Sequence, residues 1–198
     1  MRRLRLSLVV GLAACTLAPR TADPSSAGAG SETPEGFGTL RQEDVSISLV
    51  SGDLRVMVTP LATSVTHVTA PDTQRRLVAL AETHRRVPGG TDETLFLVSF
   101  YSERPDVRFA PEEIEIVAQG MRVQPTLVTA ITPTWGERRV GQRQTESAVY
   151  HFPASVDLES DLVLVYGLME SRNWSSTLSR IQAERARVRV RAETSGTS

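Results

Sequence analysis

The sequence predicts a mainly β domain: an antiparallel β-sandwich of about seven short strands, one inserted helix at about 72–86 and a helix near the C-terminus. Three observations carry this. Apolar and polar residues alternate in several short runs, the period of a half-buried strand. Turn chemistry separates those runs. One segment, "APDTQRRLVALAETHRRVPGG", changes to helical spacing.

In chain order, Val45, Ile47 and Leu49 alternate with Ser46 and Ser48, and Leu54, Val56 and Val58 share one face. Ser51-Gly52-Asp53 between them reads as a hairpin turn. In the helical segment Asp72 is placed as the N-cap, and Leu77, Leu80, Ala81 and His84 fall on one face. Arg85 and Arg86 favour the negative end of the helix dipole, and Pro88-Gly89-Gly90 stops the helix. "TLFLVSFY" is apolar on both faces, as a central strand is. In "EEIEIVA", Ile114 and Ile116 point inward and Glu113 and Glu115 outward. Gln119-Gly120 is a turn, and Pro125 puts the following "MRVQPTLVTAI" at a sheet edge or at a bulge. Ala148, Tyr150 and Phe152 share the inner face of the next strand, with His151 outward. "DLVLVYG" reads as another buried strand. The segment "WSSTLSRIQAERARVRVRAE" begins with helical spacing (Trp174, Leu178, Ile181) and ends with period two (Ala186, Val188, Val190). A helix from about 175 that frays is preferred there over an edge strand at 186–192.

The N-terminus has a different logic. Arg2, Arg3 and Arg5 precede an apolar run, Leu6 to Leu12, and then small residues, the layout of a secretory signal. The run is shorter than the ~20 residues that span a bilayer. Leu12-Ala13-Ala14-Cys15 resembles the lipobox of bacterial lipoproteins. That resemblance implies cleavage before Cys15 and acylation of its thiol, palmitate included. Cys15 is the only cysteine, so lipidation leaves no thiol for a disulfide, a metal or nucleophilic catalysis. Each buried methylene contributes roughly 0.8 kcal/mol, so two or three acyl chains hold firmly. Thr16 follows the cysteine instead of aspartate, which by analogy favours the outer membrane in a Gram-negative host. The expected division is a signal peptide at 1–14, a Pro/Ser/Gly-rich disordered tether at 15–38, a domain at 39–192 and a disordered tail at 193–198.

Composition excludes several functions. From a formal charge of −1, loss of the three signal arginines leaves about −4. That argues against nucleic-acid binding, which needs a basic surface. There is no lysine, so neither a Walker A loop nor Schiff-base chemistry is available. No cofactor is expected.

Seven alternating strands in one domain lead to an immunoglobulin-like version of the sandwich. Residues 109–125 ("FAPEEIEIVAQGMRVQP") and 150–167 ("YHFPASVDLESDLVLVYG") resemble bacterial lipoproteins with an immunoglobulin-like domain. The cysteine pair and strand-C tryptophan of antibody domains are missing, so the resemblance is architectural and implies no activity.

No catalytic constellation emerges. His67, His84 and His151 lack metal-ligand spacing, and no metal is expected. No G-x-S-x-G elbow occurs. Glu112, Glu113 and Glu115 read as a solvated strand face. Asp157, Glu159 and Asp161 read as an acidic turn that lacks the glycine and distal glutamate of a calcium loop. The unusual element is the long loop 132–147, with Trp135, Arg138, Arg139 and Arg143. Exposed tryptophan and arginine are the composition of binding hot spots; the alternative is a flexible hairpin excursion whose tryptophan folds back over the sandwich edge. The expectation is a non-catalytic, lipid-anchored envelope protein that binds another envelope protein through this loop or helix 72–86. The alternatives are a small-ligand or glycan module with Trp135 as stacking platform, and, more weakly, an envelope hydrolase.

Overall fold

The computed structural model describes residues 33–85 and 93–196. The signal, Cys15, most of the tether, Arg86 and Pro88-Gly89-Gly90 lie outside the described residues. These residues form a mixed α/β fold with three antiparallel sheets and three helices.

β1 (Ile47–Ser51), β2 (Leu54–Pro60) and β3 (Glu93–Ser102) form the first part of a five-stranded sheet. Between β2 and β3 lie α1 (Thr63–Thr66) and α2 (Pro71–His84). β4 (Val107–Arg108) follows, then β5 (Ile114–Ala118), β6 (Met121–Val123), β7 (Leu127–Ala130), β8 (Arg139–Val140), β9 (Gln144–Pro153), β10 (Leu162–Tyr166) and β11 (Met169–Ser171). α3 (Trp174–Gly196) closes the chain. The sheets run β1-β2-β3-β9-β7, β11-β10-β5-β6 and β4-β8.

Turn chemistry fixes the hairpins as the sequence implies. Ser51 pairs with Leu54 across a two-residue loop, and Gly52 takes the positive φ of 59° needed at its first position. Gln119 and Gly120 both have positive φ, 52° and 78°, between the paired Ala118 and Met121. That is the type I′ requirement, which asks for left-handed backbone at both positions.

β3 is central, as its apolar run predicts. Phe96, Val98 and Phe100 point to one side and Leu95 and Leu97 to the other, all buried. The first side joins Ala148, Tyr150 and Phe152 of β9 with Ile114, Ile116, Leu162 and Leu164 of the four-stranded sheet in one core. The second side is half covered by α2, whose Leu77 and Ala81 meet Leu95, Leu97 and Val149.

Five expectations are corrected. Helix α2 starts at Pro71, so Asp72 sits in the first turn and Ala70 is the N-cap. Proline suits that start because its missing N–H would be unpaired there anyway. The single strand expected across Pro125 is two edge strands, β6 and β7, in different sheets. Proline cannot donate to a ladder, and the chain changes sheet where that bond would be lost. His151 is not outward to water: α2 covers that side, and the imidazole is 1% exposed. The tether ends earlier than residue 38. The Thr33 carbonyl lies 2.6 Å from His67 Nδ1, and the Gly36 N–H donates to Gln74 Oε1 at 3.0 Å. A Cβ on Gly38 would stand 2.3 Å from the Val68 backbone, so only glycine fits that approach.

The fifth correction concerns the C-terminus. Residues 193–196 belong to α3 and not to a tail, while 186–192 are helical, the reading preferred over an edge strand. Its inner stripe is Trp174, Thr177, Ile181, Glu184 and Val188, all buried and three or four residues apart. One of the five is a carboxylate and one a hydroxyl, so the stripe is faint in a hydrophobicity pattern. Glu184 is satisfied by Thr39 Oγ1 at 2.8 Å, Arg191 Nη1 at 2.9 Å and Arg187 Nη1 at 3.5 Å. Burial pushes its pKa up, but the bonds from Arg191, Thr39 and Arg187 outweigh this and hold it below the usual carboxylate range. A depressed acid stabilises the fold above its unfolded pKa, and that contribution is lost as the pH falls through the folded pKa. Glu184→Gln should therefore lower the urea midpoint at neutral pH. The gap from the parent should close as the pH falls below the ordinary value of 4.5. A gap that is constant with pH would disprove this role of the charge.

Candidate binding site

The half of the outer sheet face that α2 leaves uncovered is an open trough of about 930 Å³. Strand register explains its shape. Ser48, Met57, Ser99 and Ser147 are cross-strand partners on neighbouring strands, so they form one row on one face. Arg55, Tyr101 and Thr145 form the adjacent row. Three of the four residues in the first row are serines, and their small side chains leave the depression. Strands lie about 4.8 Å apart, so this row extends roughly 14 Å from β1 to β9. Leu80 and Arg76 of α2, with Leu97, make one wall, and Ile131 lies at the far end.

The polar groups of the trough are placed by local contacts. Ser99 Oγ and Ser147 Oγ are 3.0 Å apart. Arg76 Nη2 donates to Gln42 Oε1 at 2.6 Å, which fixes the guanidinium at the rim. The Arg55 guanidinium lies 5.9 Å from the centre of the Tyr101 ring, a cation–π distance. Among the described residues neither Arg55 nor Arg76 makes an ion pair, whereas Glu43 at the same rim is 3.7 Å from Arg41.

The loop singled out in the sequence has another role. Trp135 is buried, with its ring 4.9 Å from Phe109, 5.8 Å from Phe100 and 6.4 Å from Tyr150. It is a core residue inside a short 3-10 turn, Pro133–Glu137, and offers no stacking platform to a ligand. Arg138 is bonded to Glu112 at 2.7 Å and Arg139 to Asp106. These ties brace the loop against neighbouring segments. Arg143 is exposed and has no ion pair among the described residues. Beneath the loop, Thr132 and Thr134 each donate to the buried Glu146 carboxylate at 2.5 Å. Cys15 lies outside the described residues.

The remaining candidates lie outside the lining of the trough. His151 Nδ1 is 2.7 Å from Glu93 Oε2, and its Nε2 is buried without a partner. A His–Glu pair resembles two members of a hydrolytic triad. Among the described residues no hydroxyl bonds to Nε2, and the imidazole is 1% exposed. Burial lowers the pKa of nearby His84, and His151 lowers it further. The Tyr150 hydroxyl donates to the Pro111 carbonyl at 3.0 Å, and burial pushes its pKa far up. Glu115 is paired with Arg122 and Glu159 with Arg185. Among the described residues no three His, Cys, Asp or Glu side chains form a metal-ligand group.

Sequence reading missed the trough because its residues come from six separated segments and carry no motif. The only available signal was negative: Ser48, Ser99 and Ser147 are small polar residues within strands. Compared with protein-family models, curated proteins and solved structures, the chain matches none.

Proposed function

We propose that this chain is a non-catalytic binding protein of the cell envelope, held to the membrane by lipid on Cys15, and that the trough beside α2 is its binding site. The observation that carries the reading is the trough itself: a concave, mostly apolar surface with a few convergent polar groups, the usual form of a ligand site. Its polar side chains are arginines, hydroxyls, the Gln42 amide and an ion-paired glutamate, with no acid–base pair to support catalysis. This favours the small-ligand alternative over docking through Trp135, which is occupied in the core. For the fold, we read the two larger sheets as the layers of a sandwich on the strength of their common core. The meander β1-β2-β3 within one sheet departs from the immunoglobulin strand order, so the reading extends no further than a sandwich.

A photo-crosslinking residue in place of Thr145 tests the site in the native membrane. An adduct is expected at Thr145 and not at the exposed Glu113, in the 3-10 turn before β5, and Ser99→Phe should abolish it by filling the trough. Equal labelling at both positions would refute the site. In the same cells, Cys15→Ser should end fatty-acid labelling and release the protein from the membrane fraction; retention there would refute the anchor.

A further inference from the structure

Resting on this binding reading, we infer that the trough takes an anionic amphiphile: a ligand with an apolar body laid across the serine row and a carboxylate or phosphate head held between Arg55 and Arg76. The body is argued from the lining. Met57, Leu80, Leu97, Ile131 and the Tyr101 ring supply its apolar side chains, with one aromatic ring only. Sugars gain most from flat aromatic platforms, and Tyr101 is the one ring in this lining, already beside the Arg55 guanidinium. The serines contribute less than their number suggests, because Ser99 and Ser147 are already bonded to each other.

The head is argued from charge. The rim holds two arginines without ion pairs and one glutamate already beside Arg41, so its uncompensated charge is positive. Arg104, Arg122, Arg138, Arg139, Arg172, Arg180, Arg185, Arg187 and Arg191 make ion pairs, and Arg75, Arg85, Arg108, Arg143 and Arg189 make none among the described residues; Arg55 and Arg76 differ from these five in lining the trough. Arg76 is also pre-oriented by Gln42, and Arg55 by Tyr101, so less rotamer freedom is lost when an anion arrives. A planar guanidinium can present two parallel N–H donors to a carboxylate or phosphate.

The test uses two probes with the same chain and opposite heads, dodecanoate and dodecyltrimethylammonium, titrated calorimetrically below their micellar range. Dodecanoate should bind one to one and at least about tenfold more tightly, the size of one charge-assisted hydrogen bond. Arg55→Gln and Arg76→Gln should each weaken dodecanoate about tenfold, and the double variant should lose the head-group preference, with melting unchanged. Added salt should weaken dodecanoate alone. Dodecyl phosphate, run in parallel, tells a phosphate-headed ligand from a carboxylate-headed one by its relative affinity. Equal binding of the two opposite heads, or arginine variants without effect, would overturn the anion while leaving the trough as a site. If dodecanoate and dodecyl phosphate fail to bind while the Thr145 adduct persists, the amphiphile is wrong and the occupant is a peptide or protein. If both the binding and the adduct fail, the binding reading falls with it.

Discussion

Val98→Asp is expected to leave no folded protein. Val98 is fully buried on the inner face of β3, between Val58 of β2 and Ala148 of β9. The rings of Phe96 and Phe100, the inward residues on either side of it, belong to the same core. An aspartate there has no route to water and no cation within the apolar cluster. Burying an unpaired charge costs several kcal/mol even after relaxation, and neutralising it by protonation still leaves unsatisfied oxygens. Loss of the valine packing adds to this. A domain of this size has about 5–15 kcal/mol in total, so the sum consumes most or all of it. Circular dichroism and a urea titration of the soluble domain, begun before residue 33, are the check. A cooperative transition near that of the parent would mean that β3 is not central.

Trp135→Ala is expected to cost about 3–5 kcal/mol, the range for removing a large buried aromatic. Three aromatic neighbours, Phe100, Phe109 and Tyr150, would line the vacated space. Fluorescence offers an independent check. Trp174 is also buried, with its indole N–H donating to the carbonyls of Leu158 and Ser160 at 3.2 and 3.0 Å. The intact protein should therefore emit at short wavelength and resist iodide, with neither tryptophan accessible. Red-shifted, readily quenched emission would return Trp135 to the surface and restore the loop as a binding anchor. On the present geometry, the fraction of Trp135→Ala that stays folded should bind the trough's ligand normally, because Trp135 does not line it.

These results separate what was legible in the sequence from what was not. Local rules were enough where a residue's neighbours along the chain set its conformation. The Gly52 and Gln119-Gly120 hairpins, the helix around Leu77 and Ala81, and the doubly buried β3 follow from turn chemistry and periodicity, and each forms as read. The resemblance of Leu12-Ala13-Ala14-Cys15 to a lipobox also depends on order along the chain alone, and the anchor it implies is the proposal that Cys15→Ser tests. Periodicity failed where a polar group occupied a core position. Glu184 interrupts the buried stripe of α3, and only the arrival of Thr39, 145 positions away, together with Arg187 and Arg191, makes a carboxylate acceptable there. His151 misled in the same way, because its exposure depended on whether a helix covered that side of the sheet.

The trough lay wholly beyond local reading. A serine in a strand is unremarkable by itself; Ser48, Ser99 and Ser147 become a depression only when strand register puts them in one row. Arg55 and Arg76 are ordinary surface cations until the fold places both in the lining of one trough without an ion pair. Trp135 ran the other way: its composition marked it as an anchor, but Phe100 and Phe109 are distant in sequence and close in space, and burying its ring against them outweighs exposing it to water. Local conformation was fixed by the order of residues. Which faces met, which charges found partners and which surface stayed open were decided by the packing of segments far apart in the chain.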